Sequence, residues 1–260
     1  MSLPTFPSAP AQGPNGADMP NPYFQFKQFI IYHDRCAMKV TTDACLFGAW
    51  CAQEIRNEQF KERTKNILEI GSGSGLLSLM IAQKNDCAID AIEIDEEAAQ
   101  QAKENISLSL WRNNINLHHA DALSFPFNQP YGVIVSNPPF YENEIESANK
   151  QKNLAHHGDG MKLSELFSLV KKQLATHGQF YLLLPFKRKS EAEKILKREK
   201  IFIEKAVIVS QSAKHSPFRL MIKAGHTQMQ VEEKQVSITG LEQQYTPEFI
   251  SLLKDYYLYL

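Results

Sequence analysis

No stretch of this chain stays apolar for the roughly 18 to 20 residues that a membrane span needs. The N-terminus has no basic segment followed by an apolar core, so no secretory signal is expected. Cysteine is scarce. Cys36, Cys45, Cys51 and Cys87 show no C-x-x-C spacing, which argues against a zinc site and a disulfide framework and fits reduced, buried thiols in a cytoplasmic protein. His156 and His157 stand together without a spaced carboxylate or cysteine partner, so no metal is expected. Internal repeats are lacking too. Net charge is almost absent, at −1 over 260 residues.

That small net charge hides an asymmetry. Residues 1–149 carry 10 Lys/Arg against 18 Asp/Glu, a balance of −8. Residues 150–223 carry 16 against 6, a balance of +10, and residues 224–260 carry 2 against 5, a balance of −3. A basic segment beside an acidic one suggests a polyanionic partner, although a solvated helix surface would give the same count. With 43% hydrophobic and 22% charged residues, the chain is otherwise an ordinary globular sequence.

The most informative stretch is Tyr131 to Phe140, YGVIVSNPPF. The run Val133-Ile134-Val135 predicts a buried strand. Pro138 and Pro139 end it, because they bring no N–H to a sheet ladder. Asn137, placed before a proline, is held extended and projects from the strand end. The corner so formed offers an amide, backbone carbonyls and the ring of Phe140, a surface suited to a flat group carrying an NH2. Taken alone, Asn-Pro also starts ordinary turns.

Upstream, Asn66–Ile70 predicts a strand leading into Gly71-Ser72-Gly73-Ser74-Gly75 and then a helix, Leu76–Gln83. Glycines let a backbone turn tightly and approach a ligand. Glu69, just before the loop, can bind an ammonium or amide. A second strand, Ala88–Ile94, carries Glu93 near its end, where an acid accepts from both hydroxyls of a ribose. Asp95 is expected to cap the next helix, Glu96–Leu110. A third strand, Ile115–His119, leads to Ala120-Asp121-Ala122; Asp121 is either an acceptor for an adenine amino group or a turn cap. Four successive strands thus end in groups that can hold a ligand, at the edge where open α/β sheets bind theirs.

Around this core, Phe24–Ile31 reads as a strand, and Thr42 or Asp43 as the cap of a helix over Ala44–Ile55. Lys39, a cation in an otherwise apolar turn, lies either on the surface or over the cofactor. Further predicted elements are a helix over Leu163–His177, a strand over Gly178–Pro185 and a basic helix over Lys187–Lys200. Strands over Phe202–Val209 and Arg219–Ala224 and a terminal helix over Thr246–Leu260 complete the reading. Residues 1–22, rich in Pro, Gly, Ala and Ser, are expected to be a disordered leader. The rest reads as one domain: a cap segment at 23–60, a core at 61–225 and an extension at 226–260.

LEIGSGSG, AIEID, HADAL and SNPPF, in this order, resemble a class I S-adenosylmethionine-dependent methyltransferase, and NPPF resembles the enzymes that alkylate an NH2 group. FQFKQFIIYHDRCAMKVTTDACLFGAW is similar to the N-terminal signature of the bacterial valine-tRNA (adenine-N6)-methyltransferases, which act on adenosine 37, 3′ to the anticodon. The resemblance covers roughly residues 23–225. It implies a Rossmann-like α/β fold with a seven-stranded, mostly parallel sheet and helices on both faces. It also implies S-adenosyl-L-methionine held by Lys39, Glu69, Gly71, Ser72, Gly73, Glu93, Asp121, Ala122 and Asn137. The target amine would be held by Asn137, Pro138, Pro139 and Phe140. The tRNA anticodon stem-loop would lie on Lys187, Arg188, Lys189, Lys214 and Arg219. Guanine-N2 methylation of ribosomal RNA, glutamine-N5 methylation of protein, and a non-catalytic RNA-binding module remain the alternatives.

Overall fold

Short runs of Ile, Leu and Val, stopped by glycine, asparagine or proline, set the strands of the core. The computed structural model describes residues 21–57, 66–139, 161–240 and 244–260. A two-stranded antiparallel hairpin, β1 (Tyr23–Gln25) and β2 (Ile30–Tyr32), precedes helix α1 (Thr42–Asn57). The central part runs β3 (Asn66–Ile70), α2 (Leu76–Ala82), β4 (Ala88–Glu93), α3 (Glu96–Ser107), β5 (Ile115–His119) and β6 (Tyr131–Ser136). The second half holds α4 (Leu163–Gln173), β7 (Leu174–Pro185), α5 (Lys189–Glu199), β8 (Phe202–Ser212), β9 (Pro217–Gly225), β10 (Glu232–Thr239) and α6 (Pro247–Leu253).

Eight of these strands form one sheet in the order β10-β8-β9-β7-β6-β3-β4-β5. All neighbours are parallel except β9, which runs against both β7 and β8. Parallel strands are buried on both faces, so β6 is buried at all six positions. One face packs on α1, α2, α6 and the hairpin through residues such as Phe47, Leu79, Val133, Tyr181 and Phe249. The other packs on α4 and α5 through Ile134, Phe167, Val170, Phe180 and Leu196. The chain steps outward from β3 to β4 and β5, then returns to place β6 on the other side of β3. This reversal opens a crevice at the C-terminal ends of β3 and β6.

The structure corrects several sequence expectations. The aromatic run Phe24–Ile31 is a hairpin rather than one strand: Phe26 N–H bonds to Phe29 O at 2.9 Å, and the two rings stack 4.5 Å apart across the turn. Helix α1 begins two residues early, and the side chain that reaches its free N–H groups is Thr41, with Ala44 N–H donating to Oγ1 at 3.4 Å. Asp43 is drawn instead to Arg219, Nε to Oδ2 at 2.6 Å. Asp95 caps α3 as expected, accepting from Ala98 N–H at 2.8 Å, but that helix stops at Ser107. Helix α4 stops at Gln173, because Leu174 pairs with Tyr131 and opens β7 early. The basic stretch divides into a 3-10 turn, Phe186–Arg188, and α5, which Lys200 ends in the left-handed conformation at φ 60°. The sheet has one strand more than the sequence suggests. The added strand, β10, lies in the C-terminal extension and buries only Val236 and Ile238. The terminal helix is confined to Pro247–Leu253, capped by Thr246.

The two ends of the described chain hold each other. Lys27 N–H donates to Tyr256 O at 2.7 Å, and Phe26, fully buried, sits among Phe24, Phe29 and Tyr257 with ring centroids 4.5 to 6.0 Å away. Removing a buried ring of this kind costs about 3–5 kcal/mol through lost transfer energy and the cavity left behind. Phe26→Ala is expected to lower unfolding stability by that amount in a urea titration. A loss below about 1 kcal/mol, the range of surface substitutions, would mean that the hairpin is not part of the cooperative core.

Candidate active site

The candidate site residues lie at the C-terminal ends of β3, β4, β5 and β6 and in the loops that follow them. Gly71, Gly73 and Gly75 all have positive φ, at 75°, 51° and 81°. A Cβ at Gly71 or Gly73 would meet nothing within 4 Å among the described residues, whereas one at Gly75 would lie 3.5 Å from Ala102 Cβ. The first two therefore leave a surface that a ligand can approach, whereas at the third it is the left-handed backbone, not a lack of space, that favours glycine. The loop is stitched to the end of β4: Gly71 and Ser72 N–H groups bond to Ile92 O at 2.9 and 3.1 Å, and Gly73 N–H donates to Glu93 Oε2 at 2.7 Å. Asp95 N–H holds Glu93 Oε1 at 3.0 Å. The Glu93 carboxylate is thereby fixed at the rim of the glycine loop. Each carboxylate oxygen has further lone-pair capacity for a hydroxyl donor.

Glu69 lies deeper and is 1% exposed. Its Oε2 accepts from Ser78 N–H at 3.0 Å and from the Ser78 hydroxyl, while its Oε1 has no partner among the described residues. Burial pushes this carboxyl up to about 8, against the opposing effect of the Ser78 bonds, and the charge of Glu93 adds to the rise. The buried hydroxyl of Ser72 is likewise unpartnered among the described residues. Buried polar atoms without partners are rare in folded chains, and each calls for an explanation. Here they lie beside a bare glycine loop, so a ligand with an amino group fits them.

Asp121 uses Oδ1 to accept from Leu123 N–H at 2.9 Å, so it does cap a turn, and Ala122 beside it is buried. Ile94, between Glu93 and this turn, is an apolar side chain left 59% exposed at the sheet edge. Nothing in the local sequence singles it out, since an isoleucine ending an apolar strand reads as core. Beside Glu93 it leaves exposed apolar surface of the kind that packs against a flat ring. Asn137 is half-buried, Pro138 buried and Pro139 exposed. Ser136 is fully buried, and its hydroxyl donates to Ile70 O at 2.8 Å, binding the strand that ends in Asn137 to the strand that ends in Gly71. Phe140, His156 and His157 lie outside the described residues.

Lys39 is exposed on the loop 33–40. That loop approaches the site through Cys36. Burial, and then the carboxylates of Glu93 and Asp95, push the Cys36 thiol up to about 12. All four cysteines are free thiols, and no group of metal-ligating side chains occurs among the described residues. Nor is any described helix long and apolar enough to cross a membrane.

Comparison with known proteins gives this arrangement a family. The model of the methyltransferase small domain matches residues 52–215. Curated relatives named tRNA1(Val) (adenine(37)-N6)-methyltransferase include one from Parabacteroides distasonis, 36% identical over 92% of this chain and 99% of the relative. Another, from Dyadobacter fermentans, is 37% identical over 92% and 98%. The chain belongs to this family. Among solved structures, a predicted O-methyltransferase from Agrobacterium tumefaciens superposes with a TM-score of 0.61 at 13% identity, over 81% of this chain and 95% of that one. The glycopeptide N-methyltransferase MtfA, complexed with S-adenosyl-L-methionine, gives 0.52 at 12% identity, over 69% and 94%. These two likenesses show the class I methyltransferase fold.

The raised Glu69 carboxyl gives a pH test of the site without its ligand. Unfolded, Glu69 releases its proton near the usual 4.5; folded, it holds the proton up to about 8. Its contribution to stability is therefore complete below about pH 4.5 and is lost as pH rises through about 8. Glu69→Gln is expected to flatten the decline in unfolding stability between pH 5 and 8.5, measured by chemical denaturation. Parallel profiles for both proteins would show that Glu69 is ionised in the folded state.

Proposed function

We propose that this methyltransferase transfers a methyl group from S-adenosyl-L-methionine to the N6 amino group of adenine 37 in tRNA1(Val). The observation that carries the reading is the Ser136–Ile70 bond, which sets Asn137-Pro138 beside the glycine loop in a chain whose relatives bear that name. Gly71, Ser72 and Gly73 would lie along the cofactor, with Glu69 toward its amino group, Glu93 at the ribose, and Asp121, Ala122 and Ile94 at the adenine. Lys39 would cover the site. When bound, the cofactor supplies an electrophilic methyl group on a sulfonium.

The chain's own residues then act by placement. An exocyclic amine conjugated to a purine is a poor nucleophile, because its lone pair is delocalised. The side-chain oxygen of Asn137 and the carbonyl of Pro138 would each accept one N–H of the target amine and turn its lone pair toward the methyl. Pro139 stiffens the corner, and Phe140 would stack on the base. Orientation and fixed dipoles of this kind account for much of the rate gain in such transfers. A base in an anticodon loop must be splayed outward to reach this corner, at lower cost than from a duplex.

The basic groups share the same edge. Strand β7 is parallel to β6 with Leu182 opposite Ser136, so it runs beyond the level of Asn137 and the turn bearing Lys187 and Arg188 starts three residues further out at the same edge. Arg219 pairs with Pro185 across β7 and β9, and Lys214 lies in the exposed β8–β9 connection. Arg188 is paired with Glu191 at 2.7–2.8 Å, Lys189 with Glu233 at 2.8 Å, and Arg219 with Asp43. Exposed pairs are worth only about 0–1 kcal/mol, so the phosphates of an anticodon stem-loop can compete for the first two.

Two experiments test this. Asn137→Ala is expected to reduce single-turnover methylation of a tRNA1(Val) transcript at least about 100-fold, the scale of removing one hydrogen bond to the transition state, while cofactor affinity changes little. Mass mapping of the product must place the methyl on adenine 37; a guanine or protein product would overturn the assignment. Joint Lys187→Gln, Arg188→Gln and Lys189→Gln exchange removes charge without setting new carboxylates against Glu191 and Glu233. It is expected to weaken tRNA binding and to lower the slope of log affinity against log salt by about 0.7–0.9 for each phosphate no longer neutralised. An unchanged slope would place the RNA elsewhere.

A further inference from the structure

Helix α3 buries two amides where an amphipathic helix would bury apolar side chains. Gln101 is 2% exposed and Asn105 1%, and they lie one turn apart on the same face. Asn105 accepts from Tyr32 N–H at 3.0 Å and donates to Tyr32 O at 2.8 Å, pairing with β2 as a neighbouring strand would. Its second N–H donates to Ser74 O, in the glycine loop, at 2.9 Å. One turn earlier, Gln101 Oε1 accepts from Arg35 N–H at 3.2 Å, and Glu104 receives the Arg35 guanidinium. The segment held in this way opens the loop 33–40. His33 draws the ends of that loop together by accepting from Val40 N–H at 3.5 Å, and its other ring nitrogen bonds to Asn21 O, outside the loop, at 3.1 Å. Cys36, inside the loop, lies within the electrostatic reach of Glu93 and Asp95. Buried amides are costly unless bonded; here Asn105 bonds to the backbones of two other segments, and Gln101 Oε1 accepts from both the backbone N–H and the guanidinium of Arg35, rather than from α3 itself.

We propose that Asn105 and Gln101 are positioning residues for the cofactor: they fix the loop 33–40 against the glycine loop as the outer wall of the pocket at Glu93. The inference rests on the placement of the ribose at Glu93. Neither residue touches the cofactor, and both act through the backbones of Tyr32, Arg35 and Ser74.

The test uses the full chain and S-adenosyl-L-methionine, with calorimetric affinity and dissociation rate as readouts, beside hydrogen exchange of residues 32–40. Asn105→Asp keeps the size and the acceptor but turns both donated bonds into repulsions between oxygens. It is expected to weaken cofactor binding about tenfold or more, as lost bonds to buried partners do, and to speed exchange in residues 32–40. Gln101→Ala is expected to weaken binding severalfold, and Gln101→Glu, which keeps the acceptor, to restore it. In turnover, KM for the cofactor should rise while kcat and tRNA affinity stay within about twofold, a split that general destabilisation would not produce. If cofactor affinity in folded Asn105→Asp and Gln101→Ala stays within about twofold of the native value, or if Gln101→Glu binds no better than Gln101→Ala, the proposal fails. Should Asn105→Asp not fold, the Gln101 pair decides alone. Glu93→Ala separates the two readings: unchanged affinity there removes the ribose placement, whereas weakened binding there with unaffected α3 variants removes only the wall.

Discussion

The candidate site depends on the parallel pairing of β3 with β6, Ile70 opposite Ser136. Because side chains alternate along a strand, a slip of one residue would turn the buried set of β6 to the wrong faces and carry Asn137 away from Gly71. The register is fixed twice. Ile67, Leu68, Ile134 and Val135 are buried on opposite sides of the sheet, and the Ser136 hydroxyl closes on Ile70 O at the very end. A serine there gives what an alanine could not, a bond across the crevice at the point where both backbones leave the sheet. The glycine loop and the Asn-Pro corner can then be irregular without being independent of each other.

The edge of the sheet also sorts charge. On the β3–β4–β5 side the strand ends and loops carry Glu93, Asp95 and Asp121; on the β7–β9–β8 side they carry Lys187, Arg188, Arg219 and Lys214. Asn137, uncharged, stands between them at the end of β6. A polyanion would be repelled by the first half and attracted by the second, so the same fields that retain a cationic ligand on one side would steer a nucleic acid to the other. The pairing of Arg219 with Asp43 ties the basic side to the start of α1, so the segment before α1 meets both halves.

Much of this was legible in the sequence because the signals were local. β3 and β5 have the predicted bounds, and Asp95 caps α3, since a short apolar run stopped by glycine and an acid before a helix each carry their own physics. What was not legible was tertiary. Gln101 and Asn105 look like solvent-facing residues in a polar helix, and nothing local says that backbones from residues 32, 35 and 74 come to meet them. Asp43 looks like a cap because its partner is 176 residues away. β10 was missed because only two of its eight residues are buried, so its apolar pattern is too thin to read.

Buried polar atoms at this edge fall into two kinds, and the difference bears on function. Asn105 makes three bonds and the Ser136 hydroxyl one, all to backbone, so the donors of both are committed to the frame. Glu69 Oε1 and Ser72 Oγ are equally withdrawn from solvent and make none among the described residues. Folding alone would select against the second kind, because an unsatisfied buried oxygen costs about 1–3 kcal/mol against an apolar side chain of the same shape. Such a cost is sustained where something else recovers it, and at a glycine loop with two open positions a bound molecule presenting hydrogen-bond donors would do so. The satisfied groups hold the frame still; the unsatisfied oxygens inside it are where a cofactor bearing hydrogen-bond donors would fit.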